Sequence, residues 1–178
     1  SENACRCALQ WAKKWNATFE IVYVIPPYVD GMNPESAMVM AEQQNILLNS
    51  AEKSMNEWTN RLQSETGQVV HSHIMIGEVA YSICEYAYNS QADMIVMGAT
   101  GQHGLLDKLF GSVSSSVAKN SKVPVLFIPH QISSIQFKHI LYSSDYSSAS
   151  LSNIFYVLRM AHGEAGKVDF IHVSENKP

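Results

Sequence analysis

The chain has 178 residues, 46% of them hydrophobic, and a formal net charge of -4, enough for one full core, as one domain or one with part of another. The negative balance and the lack of a Lys/Arg cluster argue against nucleic acid as a partner, and Cys5, Cys7 and Cys84 make neither a disulfide framework nor a metal-ligand pattern, which fits a reducing cytoplasm. No run of about 18 apolar residues occurs and the opening residues are polar, so neither a membrane span nor a signal peptide is expected.

Residues 2–15 place Ala4, Ala8, Leu9, Ala12 and Trp15 at helical spacing behind Ser1 as a cap. "FEIVYVI", 19–25, is β-branched and aromatic and reads as a buried strand closed by Pro26-Pro27. A long helix is predicted from about Glu35 to Glu65, on Ala41, Leu48, Ala51, Met55, Trp58 and Leu62, with Gly67 as its stop. The alternation continues through a strand at "VVHSHIMI", a helix over 78–89, a strand at "DMIVMG", a helix over 111–120 and a strand at "VPVLFIP". Strands and helices in strict alternation predict an α/β fold, a parallel sheet covered by helices on both faces.

After a polar linker, "HQISSIQ", a strand at "HILYSS", a helix at "SSASLSNIFYVLRMAHG" and a strand at "VDFIHV" repeat the beginning of the chain. Laying Ser150 on Ser1 matches Leu158 to Leu9, Ala161 to Ala12, Val168 to Phe19, Phe170 to Ile21 and Val173 to Val24 without a gap. An offset of 149 residues is one ordinary domain length. The expected organisation is a first domain over 1–130, a linker over 131–137, and the opening strand, helix and strand of a second domain over 138–178. By this comparison the first copy lacks the strand that precedes its helix, and that slot would lie in the middle of the sheet. "HILYSSD" is expected to fill it, within the chain as in a circular permutation or from another copy by domain swapping; the alternative is a fragment of a longer tandem protein.

The stretch "MGATGQHGLLDKLFGSVSSSV", 97–117, holds four of the nine glycines between a strand and a helix start. Glycines let a backbone approach an anion without a Cβ clash, and a helix N-terminus at the carboxyl end of parallel strands presents unpaired amides to it. Ser112 and Ser114 add hydroxyls at the same place. The competing reading makes Gly98 and Gly101 turn residues and Ser112 a plain cap. Neither a Walker loop nor G-x-G-x-x-G occurs here. The pattern present is G-x2-G-x9-G-[ST], on Gly98, Gly101, Gly111 and Ser112.

With "ADMIVMGATG", "GSVSSSVAKNSKVPVLFIP", "VYVI" and "HILYSSDYS" in the same order, the chain resembles the universal stress protein family in its nucleotide-binding branch, as a piece of a tandem two-domain member. The resemblance covers essentially the whole chain. It implies a Rossmann-like three-layer fold of the adenine nucleotide alpha hydrolase type, and ATP as ligand, with Mg2+ accompanying it. The ribose and phosphates would be wrapped by Gly98, Gly101, Gly111, Ser112, the Val113 backbone and Ser114. The adenine pocket would draw on Val24 and on an aspartate closing the first strand, and only Asp145 in the second copy matches that aspartate. A homodimer or a domain-swapped assembly is implied, since family members commonly pair through the last strand.

Other chemistry is weaker. His71 and His73 lie at i, i+2 and read as sheet surface rather than metal ligands. His103 and Lys108 could touch phosphate oxygens and Asp107 a Mg2+ through water, against plain solvent exposure. Cys84 reads as a buried helix residue, and no catalytic triad is visible. The expected function is therefore a stress-response module that binds ATP with at most slow hydrolysis. The alternatives are a nucleotide-free dimerisation module of the same family and, more remotely, an adenylate-forming enzyme on a related fold.

Overall fold

The computed structural model describes residues 2–27, 34–99, 111–163 and 166–172. Their order is α1 (Glu2–Trp15), β1 (Glu20–Ile25), α2 (Pro34–Thr66), β2 (His71–Ile76), α3 (Val79–Asn89), β3 (Ile95–Gly98), α4 (Ser112–Asn120), β4 (Val125–Ile128), β5 (His139–Ser143), α5 (Ser148–Gly163) and β6 (Lys167–Ile171). The chain divides into two compact units, Ser1–Ser133 and Ser134–Pro178. The strands pair in parallel as three two-stranded sheets, β1 with β2, β3 with β4 and β5 with β6.

Local chemistry explains the elements. In α1, Glu2 lies in the first turn and Lys13 and Lys14 in the last, each matched to the helix dipole. The helix stops where Asn16 turns left-handed at φ 51° and the Ala17 amide reaches back to the Ala12 carbonyl at 2.9 Å, a closing turn that asparagine tolerates well. Gly67, at φ 68°, performs the same task after α2. Glu78 caps α3 with both carboxylate oxygens, accepting from the Ala80 and Tyr81 amides at 3.2 and 2.6 Å.

In the first unit, α1 holds the two sheets together. Its Leu9 joins Leu62 of α2 and Val70 in a buried cluster flanked by Cys5, Phe19, Ile21 of β1 and Trp58, while the same helix packs on β3 and β4. α3 packs on β1 and on α4, and α2 on β2. His73 stacks on Tyr86 of α3 with ring centroids 4.6 Å apart, and Tyr86 donates to Glu20 at 2.9 Å. The pair at positions 71 and 73 is thus part of the sheet surface, and no group of three His, Cys, Asp or Glu side chains gathers into a cation site among the described residues. In the second unit, Ile140 and Leu141 of β5 pair with Val168 and Asp169 of β6, so one edge of β5 is taken up by the strand that follows it across α5. One edge of β1 and one edge of β3 have no strand partner among the described residues.

Candidate functional site

The site expected from the glycine stretch is built where β3 ends and α4 begins. Gly98 is the last residue of β3, in register with Ile128 of β4. The following amide, from Ala99, donates to the Ile128 carbonyl at 3.1 Å and keeps the two strand ends level. Gly111 is the N-cap of α4, with φ -72° and ψ 169°. Any residue can adopt that extended conformation, so glycine is not there for a left-handed turn. Lacking a side chain, Gly111 gives the amides that follow no cap, and no other side chain among the described residues caps them.

The first helical hydrogen bond of α4 runs from the Ser115 amide to the Gly111 carbonyl at 2.9 Å. The amides of Ser112, Val113 and Ser114 precede it and have no carbonyl within the helix to bind. Ser112 and Val113 are exposed. Ser114, in contrast, is buried, and its hydroxyl donates toward the Gly111 carbonyl at 3.1 Å and the Ala99 carbonyl at 3.3 Å. A hydroxyl has one proton. Ser114 therefore acts as a brace that fixes the start of α4 against the end of β3, where sequence reading gave its hydroxyl to a ligand. Gly101, with His103, Asp107 and Lys108, lies outside the described residues.

Val24 sits next to the last residue of β1, opposite Met75 of β2, with its side chain buried at 8% exposure. Asp145 belongs to the second unit, in the turn between β5 and α5. Its Oδ1 accepts from the Ser147 amide at 2.9 Å, and that bond, aided by the Ser147 side chain and by His172, holds its carboxyl below the usual range. A polar network surrounds it: Ser144 Oγ accepts from the Tyr146 amide at 3.1 Å and from Ser150 Oγ at 2.9 Å, and the Tyr146 ring tilts over His172 at 4.3 Å. Tyr146 is left-handed, at φ 59°, which is costly for an aromatic residue. The structure thus brings Gly98, Gly111, Ser112, Val113 and Ser114 to one end of β3 and α4, places Val24 at the end of β1, and places Asp145 in the second unit.

Sequence reading missed Ala99, whose carbonyl and amide join Ser114 to β4, and Glu78, whose double cap seals α3. An acidic residue one position before an apolar helical run is a signal that could have marked Glu78.

A model described as "Universal stress protein family" matches residues 1–129. The chain belongs to that family. Among its relatives, universal stress protein MJ0531 of Methanocaldococcus jannaschii is 32% identical over 130 residues, which cover 72% of this chain and 74% of that one. Universal stress protein A homolog 2 of Coxiella burnetii is 33% identical over 85 residues, covering 48% of this chain and 56% of the relative. The stress response protein NhaX of Bacillus subtilis is 30% identical over 102 residues, 57% of either chain. This universal stress protein therefore spans little more than half the length of the last two relatives. Among solved structures, UspA from Lactobacillus plantarum aligns with a TM-score of 0.63 at 23% identity, over 71% of this chain and 88% of that one. A universal stress protein from Archaeoglobus fulgidus aligns with a TM-score of 0.66 at 24% identity, over 99% of this chain and 62% of that one. At these identities the likeness establishes the fold, the α/β, Rossmann-like three-layer arrangement expected from the sequence.

Proposed function

We propose that this universal stress protein binds an adenine nucleotide, ATP accompanied by Mg2+, at the end of β3 and the start of α4, and acts as a nucleotide-holding module with at most slow hydrolysis. The observation that carries the reading is the uncapped start of α4. Three successive amides and the Ser112 hydroxyl lie behind a residue without a side chain, at the carboxyl end of a parallel strand, and this donor set fits a phosphate. Contrast with α3 supports it: there Glu78 occupies the equivalent donors and seals the helix against any anion. Gly98, Gly111, Ser112, Val113 and Ser114 form the phosphate half of the proposed site, together with Gly101 by sequence pattern. Val24 and an aspartate in the role of Asp145 form the adenine half.

Titration calorimetry with ATP tests this. A hydrogen bond to a charged phosphate contributes about 1.5–3 kcal/mol, or about tenfold to a hundredfold in affinity. Ser112→Ala should weaken ATP at least about tenfold, and Gly111→Val, which puts a β-branched side chain over the amides, should weaken it further. ATP affinity unchanged in both variants overturns the reading. Absence of binding by the parent chain would favour the nucleotide-free dimerisation module instead. We further infer that the chain assembles, as a homodimer or by exchange of a strand of the β5 pattern, supported by the edges of β1 and β3 that no described strand covers.

A further inference from the structure

Directly after β4, residues 129–132 fold into a turn closed by the Ile132 amide, which donates to the Pro129 carbonyl at 3.1 Å. One side chain, Asn3 of α1, gathers this turn. Its Nδ2 donates to the Ile132 carbonyl at 2.6 Å and the His130 carbonyl at 3.2 Å, with the Pro129 carbonyl at 3.5 Å. The thiol of Cys7, one turn further along α1 and fully buried, adds a contact to the same Ile132 carbonyl at 3.4 Å. The first compact unit ends at Ser133, one residue past the last of these bonds. An ordinary linker has its backbone in water; this one is tied down up to the unit boundary.

The tie also has a direct connection inward. Pro129 follows Ile128, whose carbonyl accepts from the Ala99 amide, and the Ala99 carbonyl in turn accepts from Ser114 at the start of α4. Asn3, the turn, the ends of β3 and β4, and the Ser114 hydroxyl in the first turn of α4 are therefore linked by successive hydrogen bonds and one peptide bond.

We propose that Asn3 is a positioning residue that clamps the 129–132 turn to α1, so that the point where the chain leaves the first unit is held by the strand ends that carry the phosphate cradle and responds to its occupancy. The second half of this statement rests on the nucleotide reading; the clamp does not. The chemistry is specific to an amide: the position must donate into converging carbonyls. Asn3→Asp keeps the size, replaces the donor by an acceptor, and puts a negative charge in the first turn, where it favours α1 rather than unravelling it.

Hydrogen exchange on the full chain, read by mass spectrometry, separates the parts. Without nucleotide, Asn3→Asp should speed exchange of the segment 130–134 by about tenfold, the worth of a lost hydrogen bond, while the segment 4–15 exchanges as before. Unchanged exchange at 130–134 overturns the clamp. With ATP at a concentration shown by calorimetry to saturate the protein, the parent chain should exchange at 130–134 at least about threefold more slowly and Asn3→Asp should show no such change. ATP bound without any effect on that segment overturns the connection to the cradle alone. Failure of ATP to bind overturns the nucleotide reading and with it the connection, and leaves the clamp to be decided by the first comparison.

Discussion

Ser114 ties the end of β3 to the start of α4 through a single hydroxyl. Buried at 5% exposure, it shares its one proton between two carbonyls that come from different places, one just after β3 and one at the cap of α4. Ser114→Ala leaves both without that donor, and the expected cost is about 1–2 kcal/mol of stability, read as a lowered midpoint in urea unfolding; an unchanged midpoint would show that solvent replaces the bond freely. The serine itself was legible, as a second hydroxyl two residues beyond the Ser112 that ends the spaced motif. The direction of its hydroxyl was not, because its acceptor Ala99 comes from a strand end fifteen residues away, and one-dimensional spacing does not encode which way a rotor turns. Cys5 offers a second residue-scale expectation. Burial beside Leu9, Leu62 and Val70 pushes its thiol from the ordinary 9.0 up to about 11. The native state then resists ionisation that the unfolded chain accepts, so the contribution is intact below about pH 9 and is lost as pH rises through the window from 9 to 11. Chemical unfolding at pH 8 and pH 10.5 should show the parent losing more stability over that interval than Cys5→Ala, and equal losses would contradict the assignment.

At the scale of elements, apolar runs identified each of the described strands, but their ends followed pairing and not hydropathy. "VVHSHIMI" begins with two valines, yet β2 starts at His71, the residue in register with Glu20. Val70 turns instead into the cluster with Leu9 and Leu62, and Val69 is 64% exposed. In "VPVLFIP" the strand shrinks to Val125–Ile128, since Pro124 has no amide to give and contributes its carbonyl to the Ile95 amide. The cluster around Leu62 is where helix and sheet are joined. With this side chain fully buried, Leu62→Ala should cost about 2–5 kcal/mol. Circular dichroism on heating would record the loss, and a shift of less than a degree would mean that α2 is held by other contacts.

At the scale of the molecule, the strand, helix and strand after the linker were readable from the hydrophobic pattern, and β5 and β6 pair in parallel across α5. That β1 pairs with β2 and β3 with β4 was not readable, since parallel neighbours are chosen by topology and not by local sequence. The inferred assembly has a direct consequence in solution: sedimentation over a range of concentrations should show species larger than 19.8 kDa, and a single monomeric species throughout would refute it. The rims of β1 and β3 that no described strand covers belong to strands six and four residues long. Their amides and carbonyls still need partners, and wherever no chain supplies them, bound solvent must. Cosolvents that strip hydration should consequently drive these molecules to stick to one another before they unfold them.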